Sequence, residues 1–368
     1  GSNSYKVVYD PTQNFTWGST VYVTINAENN SPTPMVTCNY SFTVLGDYVT
    51  PNIIPVSPLS GATLVPVETD IVFRVTDNLS GIATNSIAVT INGELAILNG
   101  EGVAPTYSIY SITSATNGYI VSINPSAFSL PANSYVTINV QVLDAANNVA
   151  TRSYAFQTAS ANVHNISYDP IRNYSTIQNG LNDALSAQTL IVDPGTYYEH
   201  IIWPSITNIT LSSATENGGS SLNVIIDGTN TGRVILVNST INLTLEDLTI
   251  QRGRTDHGSG IYLNNGSTLN LHSVIISGNI SFIWSAQSTG GGIYALNAYT
   301  NIDHCLFVNN QAAWQMWSSM AYPLGGAIYN GKNNINDSSF INNFAHGSGA
   351  AIYGGQNNIV RCTFIGNS

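Results

Sequence analysis

The segment 251–257 carries the densest group of charged side chains in a chain of which only 8% is charged. It contains Arg252, Arg254, Asp256 and His257. Guanidinium, carboxylate and imidazole groups that lie together can form several hydrogen bonds to one polar ligand. We therefore predict that these four residues contribute to a ligand-binding surface.

Aromatic residues follow in the next variable segments of the chain, at Trp284, Trp314, Trp317 and Tyr322. The faces of Trp and Tyr rings stack on sugars or anchor protein partners. The same rings could instead only cover the flank of the scaffold beneath them. Both interpretations stay open at the level of the sequence.

Catalytic and metal-binding motifs are absent from the sequence. It contains no HExxH, GxSxG, P-loop or EF-hand pattern. His304, Asp337 and Arg361 are expected to share one outward column, which we interpret as a polar surface ladder. We predict no catalytic residue and no metal ligand set.

Calcium is the one cofactor that the sequence leaves open. Asp47, Glu68, Asp70, Asp77 and Asp144 could gather at the ends of the N-terminal domains. Calcium prefers carboxylate and carbonyl oxygens. The spacing of these residues fits no fixed loop motif, so calcium binding is only an open alternative.

The composition excludes some classes of partner. With 20 acidic and 9 basic residues, the net charge is −11, which disfavours nucleic acid. No apolar run is long enough to span a membrane. Asn-x-Ser/Thr sequons recur, for example at Asn14, Asn39, Asn208, Asn238, Asn242 and Asn279. They indicate either a glycosylated surface protein or chance in an Asn-rich chain.

A repeat that begins near Asn223 must position the candidate residues. It aligns on a series of apolar anchors, Ile250, Ile276, Phe307, Phe340 and Phe364. Five residues before each anchor stand Leu245, Leu271, Ile302, Ile335 and Ile359, and three residues after it stand Gly253, Asn279, Asn310, Asn343 and Asn367. This period predicts a parallel β-helix with three strands per rung, glycine corners and a ladder of asparagines in the left-handed backbone conformation.

The register has further consequences. Cys305 and Cys362 fall in one column but two rungs apart, so both are expected to be free, buried thiols. The insertions between rungs all leave at one corner and are expected to stack on one side.

Helical spacing with a capping box at Ser175 and Gln178 predicts a short helix within 174–188.

The N-terminal region has a different pattern. Short alternating runs separated by turns are typical of β-sandwiches. We predict a partial domain over residues 1–46, a complete sandwich over 47–160, and the β-helix over 161–368. The segment around residues 47–62 resembles the first strand of bacterial-type immunoglobulin-like repeats.

The repeat motifs resemble those of a known family. Gly325-Gly326-Ala327-Ile328 and Phe340–Asn343 are similar to motifs of chlamydial-type polymorphic outer-membrane proteins. The layout from residue 174 onward resembles the start of pectate-lyase-like β-helices and of archaeal adhesin-like proteins. The resemblance implies an all-β protein in which immunoglobulin-like sandwich modules precede a right-handed parallel β-helix with one short N-terminal capping α-helix.

We therefore expect a non-catalytic, adhesin-like or surface-layer-like protein of the extracellular cell surface. Its partner would be a cell-surface glycan or a protein of another cell. A polysaccharide lyase or glycoside hydrolase is the first alternative, and a purely structural envelope component is the second. The opening Gly-Ser-Asn resembles a tag remnant, and the last residues stop within the repeat. The chain is thus expected to be part of a larger surface protein.

Overall fold

The structure, a computed structural model, describes residues 6–28, 36–104, 107–125, 130–283, 288–314 and 322–368. The chain divides into two compact units. Unit one comprises residues 1–65 and 69–158, and unit two comprises residues 66–68 and 159–368.

Unit one is built from antiparallel strands. They are β1 (Thr20–Ile25), β2 (Cys38–Thr43), β3 (Asn52–Ser57), β4 (Ile71–Thr76), β5 (Ile82–Ile91), β6 (Glu94–Leu98), β7 (Glu101–Gly102), β8 (Tyr110–Ala115), β9 (Gly118–Ile123), β10 (Tyr135–Asp144) and β11 (Val149–Gln157). They form the sheets β1-β2, β3-β4-β9-β8 and β11-β10-β5-β6-β7. Alternate residues of β4 and β10 are fully buried, as the apolar alternation predicts.

Besides a 3₁₀-helical turn at Thr215–Asn217, the described part of unit two contains one short α-helix and many short strands. They are β12 (Val163–Asn165), β13 (Arg172–Tyr174), α1 (Ile177–Asp183), β14 (Thr189–Val192), β15 (Gly195–Tyr197), β16 (Ile201–Ile202), β17 (Ile209–Ser213), β18 (Val224–Asp227), β19 (Ile235–Val237), β20 (Asn242–Glu246), β21 (Thr249–Gln251), β22 (Arg254–Thr255), β23 (Ile261–Leu263), β24 (Thr268–His272), β25 (Ile275–Ser277), β26 (Ile280–Ile283), β27 (Ile293–Tyr294), β28 (Tyr299–Asp303), β29 (Leu306–Val308), β30 (Gln311–Trp314), β31 (Ile328–Tyr329), β32 (Lys332–Asn336), β33 (Ser339–Ile341), β34 (Phe344–Ala345), β35 (Ile352–Tyr353), β36 (Gln356–Val360) and β37 (Thr363–Ile365).

Long sheets run through unit two, parallel apart from the antiparallel pairings of β12. Their strand orders are β13-β12-β14-β17-β20-β24-β28-β32-β36, β15-β18-β21-β25-β29-β33-β37, β16-β19-β23-β27-β31-β35 and β22-β26-β30-β34. Successive rungs therefore stack as in a β-helix. The predicted columns are confirmed, because Ile276 pairs with Phe307, Phe307 with Phe340, and Phe340 with Phe364. The three phenylalanine rings stack 4.7 and 4.9 Å apart.

The prediction of three strands per rung is wrong for the later rungs. The start of each insertion forms a fourth strand, so Arg254, Ile280, Gln311 and Phe344 lie in register in one parallel sheet. Where the backbone of one insertion runs parallel to that of the next rung's insertion, the two form main-chain hydrogen bonds with each other. Strands of two to four residues are too short to show alternation in the sequence.

The asparagine ladder is confirmed, but its position in the turn differs from the prediction. Asn310 donates its amide to the carbonyl of Ile276 at 2.8 Å and to Asn343 Oδ1 at 3.0 Å. Its own Oδ1 accepts the main-chain N–H of Asn279 at 3.2 Å. The residues with a left-handed backbone stand one position before the ladder asparagines, for example Asn309 and Asn342. The ladder positions therefore require asparagine for the hydrogen bonds of its side-chain amide.

The helix α1 begins one residue later than the predicted capping box implies. Thr176 is the N-cap and accepts the N–H of Asn179, whereas the hydroxyl of Ser175 donates to Glu68. The carboxylate of Glu199 accepts two further N–H groups of the first turn. Because Glu199 comes from a later strand region, this cap depends on tertiary packing.

The three cysteines are free thiols, as the register predicts for Cys305 and Cys362. Cys305 is buried, as expected, and Cys38 is exposed. The expectation of burial is wrong for Cys362, which is half-buried because it lies in the last described rung. Burial raises the pKa of the Cys305 thiol to about 12. The side chain of Asn279 is fully buried in the ladder. The sequon at this residue is therefore inaccessible to a glycan in the folded chain.

We expect the ladder to be a large contributor to the stability of unit two. Asn310→Ala would leave the Asn279 N–H buried without a partner and remove the amide donor to the Ile276 carbonyl, lowering the free energy of unfolding by about 2–4 kcal/mol. Asn301→Ala removes an exposed amide contact with Asn270 and should cost less than about 0.5 kcal/mol. Urea denaturation measures both, and equal losses would contradict the account.

We also expect the thiols to differ in reactivity. The pKa of Cys305 implies an about 1000-fold smaller thiolate fraction than an ordinary thiol has at the same pH. Cys38 should therefore react rapidly with a thiol reagent in the folded chain and Cys305 only after unfolding. Peptide mapping by mass spectrometry after labelling measures this, with Cys38→Ser as the control that removes the fast phase.

Candidate functional site

A row of stacked tyrosines lies along one outer face of unit two. This tyrosine ladder consists of Tyr262, Tyr294, Tyr329 and Tyr353, one from each of β23, β27, β31 and β35. Neighbouring rings are 4.9, 5.4 and 5.7 Å apart and tilted by at most 10°. All four side chains are partly exposed. The ladder therefore presents aligned ring edges and phenol groups to solvent.

Backbone geometry at the glycine corner places the ladder. The isoleucine before each tyrosine points into the core, so strand alternation turns the tyrosine outward. Three residues before each isoleucine stands a glycine with positive φ, as at Gly290 (61°) and Gly325 (70°). A Cβ at Gly290 would lie 2.2 Å from the carbonyl oxygen of Ile293. The predicted structural role of these glycines is therefore confirmed.

A charged group adjoins the ladder at this corner. The corner cluster consists of Arg233, Asp256 and His257. Arg233 pairs with Asp256 at 3.1 Å, and its guanidinium carbon lies 4.9 Å from the centre of the Tyr262 ring. The imidazole of His257 lies 5.5 Å from the Tyr294 ring.

The side chains of His257 and Asp256 in the corner cluster both have lowered pKa values, but for different reasons. Burial lowers the pKa of His257, although Asp256 opposes this effect. Burial alone would raise the pKa of Asp256, but the N–H of His257 and the hydroxyl of Thr255 outweigh it, and the pKa lies below its usual value. At neutral pH the cluster therefore offers a carboxylate, a guanidinium and a neutral imidazole to a polar ligand.

The two remaining predicted arginines point to other partners. Arg252 binds Asp227 at 2.7 Å, and Asp227 is only 1% exposed. The guanidinium of Arg254 lies 5.1 Å from the centre of the Phe282 ring. Arg252 thus stabilises a buried carboxylate, whereas Arg254 stays exposed on the four-stranded sheet.

The predicted aromatic candidates are described only in part. Trp284 and Trp317 lie outside the described residues. The backbone of Trp314 ends β30, and its side chain lies outside the described part. Tyr322 is 65% exposed. Whether the three tryptophans form a recognition surface stays a prediction.

Three of the five carboxylates proposed for calcium lie together in unit one. Asp47, Asp77 and Asp144 are buried, and one oxygen from each lies within 4.8 Å of the others. Each also accepts main-chain N–H groups of neighbouring loops. An oxygen-rich cage of this kind suits calcium, which stays a prediction.

The other two carboxylates lie elsewhere. Glu68 accepts the Ser175 hydroxyl at 2.8 Å within unit two. Asp70 accepts the amide of Asn124 at 2.9 Å. Their inclusion in one calcium cluster is therefore wrong.

A polar ladder follows one outward turn of unit two, as predicted. Arg361 binds Asp337 through two contacts of 2.6 Å. Next to them, Asp303 Oδ2 lies 3.0 Å from His272 Nδ1 and 2.9 Å from His304 Nδ1. In a simple ladder of surface polar groups, two imidazoles need not contact the same carboxylate oxygen, as His272 and His304 do here.

Sequence reasoning missed Arg233, Asp227 and the tyrosine ladder. The tyrosines had a clear signal, because an Ile-Tyr pair recurs at residues 261, 293, 328 and 352. Arg233 and Asp227 have no counterpart in the repeat, and only the folded structure places them beside Asp256 and Arg252.

Comparison with known proteins gives a short match. Residues 337–355 match the Chlamydia polymorphic membrane protein (Chlamydia_PMP) repeat. The matched segment contains Phe340–Asn343 and the glycine corner at Gly349. No curated protein matches the chain. Among the described residues, no helix has the length and hydropathy to cross a membrane.

We expect the Asp227–Arg252 pair to make stability dependent on pH. Burial alone would raise the pKa of Asp227, but hydrogen bonds from Arg252, Thr229 and Gln251 hold it below its usual value. A lowered folded-state pKa stabilises the fold above the unfolded pKa of about 3.9, and this contribution is lost as pH falls through the folded value.

Asp227→Asn should therefore lower the free energy of unfolding by about 1–3 kcal/mol at pH 7, with a smaller loss at pH 3. Denaturation at both pH values measures this. The exposed Glu216→Gln serves as control and should change stability by less than about 0.5 kcal/mol. A loss for Asp227→Asn that is equal at both pH values would contradict the assignment.

Proposed function

We propose that this chain is a non-catalytic, adhesin-like protein of the extracellular cell surface that binds a glycan or a protein of another cell through the corner face of unit two. The corner face comprises the tyrosine ladder, the corner cluster, Arg254 and Tyr322. The observation that carries the proposal is the direct contact between the corner cluster and the ladder, at Arg233–Tyr262 and His257–Tyr294.

The composition of the corner face fits recognition of a polar surface. Stacked tyrosines are rigid, so a ligand that binds them need not immobilise flexible side chains. Their faces already cover one another, so the ladder offers phenol hydroxyls and ring edges. The half-exposed carboxylate of Asp256 and the exposed guanidinium of Arg254 can bind hydroxyl or amide groups of a glycan or peptide.

The proposed function includes a proposed domain organisation. We propose that unit two is a right-handed parallel β-helix of the pectate-lyase-like fold. Residues 47–160 would be an immunoglobulin-like module and residues 1–46 part of another, together forming a stalk. The Chlamydia polymorphic membrane protein repeat at 337–355 supports a place among surface proteins. Resemblance to archaeal adhesin-like proteins favours the same interpretation.

A polysaccharide lyase or glycoside hydrolase is the alternative of a different class. Acid–base chemistry on a sugar needs two carboxylates across a groove. In the described part of unit two, several carboxylates instead form salt bridges with arginine side chains, as in Asp183–Arg172, Asp227–Arg252 and Asp337–Arg361. This pairing favours the binding role. A purely structural role in the envelope is the third candidate.

Binding of the labelled chain to glycan arrays and to whole cells tests the proposal. Tyr329→Ser interrupts the ladder and should weaken binding by about tenfold or more, as loss of an aromatic hot spot does. Arg254→Ala should weaken it less. The matched control is Tyr299→Ser, because Tyr299 lies on the nine-stranded sheet and contacts Lys332 there.

Circular dichroism of each variant controls for folding. Absence of binding to any array or cell, or equal loss with Tyr299→Ser, would contradict the proposal. Incubation with acidic polysaccharides and measurement of newly formed reducing ends or unsaturated uronides addresses the enzymatic alternative. We expect no such products.

A further inference from the structure

Two histidines and one aspartate converge on the turn between the nine-stranded and seven-stranded sheets, separate from the corner face. One ligand atom each from His272, Asp303 and His304 lies within 4.8 Å of the others. Both Nδ1 atoms approach the same carboxylate oxygen, Asp303 Oδ2, at 3.0 and 2.9 Å. The three side chains are 54%, 41% and 59% exposed, so an ion can reach them from solvent.

The stacked register produces this convergence. His272 and Asp303 are direct partners in neighbouring strands, one rung apart. His304 follows Asp303 in the chain and has positive φ (52°), a conformation that turns its side chain back toward the preceding residue's carboxylate. Histidine tolerates this conformation better than most residues. The main-chain N–H of His304 donates to Asn336 of the next rung at 3.3 Å, which fixes the turn.

Charges around the three residues favour a cation. Glu246 lies one rung from His272 in the same column. On the other side, Asp337 is neutralised by Arg361. Asp303 and Glu246 are thus two acidic groups of one column, and Arg361 is already committed to Asp337.

We propose that His272, Asp303 and His304 form a binding site for a divalent transition-metal ion, with Zn²⁺ as its best-suited occupant. Two imidazole nitrogens and one carboxylate oxygen are a common three-residue zinc ligand set, and water completes the coordination. Imidazole ligands select zinc, copper or nickel over calcium and magnesium, which prefer oxygen.

The ligand atoms lie close to the spacing that a zinc ion requires. Zinc–nitrogen and zinc–oxygen bonds are about 2.0–2.2 Å long, so two ligands of one tetrahedral ion lie about 3.3–3.6 Å apart. The two Nδ1–Oδ2 distances of 3.0 and 2.9 Å are hydrogen-bond distances and are shorter than this, so the three side chains must move slightly apart around an ion. Only small rotations of exposed side chains are required.

Binding of the ion changes which ring nitrogen of each imidazole carries a proton. Without metal, each Nδ1–H donates to Asp303 Oδ2. In the complex, each Nδ1 lone pair binds the ion, and each neutral ring carries its proton on Nε2. Any imidazolium present at the start therefore releases one proton to solvent when the ion binds.

Isothermal titration calorimetry of the full chain with Zn²⁺ after EDTA treatment and dialysis tests the site. We expect about one equivalent to bind. His304→Asn keeps a residue suited to positive φ but removes the imidazole, and His272→Gln removes the other. Each should weaken Zn²⁺ binding by at least about tenfold. The control His200→Ala removes a histidine whose ring contacts Arg233 and Thr231, and it should leave the affinity unchanged.

Co²⁺ provides a second readout that depends on coordination. Visible d–d absorption that appears with wild-type chain and disappears with His304→Asn supports direct ligation by these side chains. No Zn²⁺ binding by the wild type, or equal binding by His304→Asn and the wild type, would overturn the proposal and leave a hydrogen-bonded surface ladder. Normal circular dichroism spectra exclude misfolding of the variants.

Discussion

Unit two depends on one constraint: the buried main-chain groups of the asparagine turn must find a partner in the next rung. Water does not reach these turns, so each unpaired N–H or C=O would cost about 1–3 kcal/mol. The ladder of Asn279, Asn310 and Asn343 meets this need with one side chain per rung. Its amide donates to a carbonyl of the preceding rung, and its Oδ1 accepts a main-chain N–H of that same rung. A shift of register by one residue would break all of these contacts at once.

The same register organises the outer surface. A residue type that recurs at one position of the repeat becomes a column, so the four tyrosines stack although they come from separate rungs. Single differences between rungs then create local sites. His272 and Asp303 occupy one column, and the adjoining turn supplies His304. Binding surfaces on such a scaffold can therefore change without any change in the core.

Repeated features could be predicted from the sequence, whereas features that occur once could not. The anchor spacing predicts the columns of Ile276 and Phe307 and the free thiol of Cys305, because each rung supplies the same signal. The helix cap was misassigned because Glu199, a residue distant in sequence, binds its first turn. The pair Asp227–Arg252 likewise joins neighbouring rungs through residues that the repeat does not share. The fourth strand was missed because its segments are short and their apolar pattern is irregular.

Hydrogen exchange tests most directly whether the asparagine ladder holds the rungs in register. The main-chain N–H groups of Gly253, Asn279, Asn310 and Asn343 each donate to an asparagine Oδ1 of the next rung. The account predicts that those of Asn279 and Asn310, in the interior of the stack, exchange as slowly as the amides of the central strands, with an opening free energy close to that of global unfolding. Exchange of these turn amides as fast as that of exposed loops would contradict it.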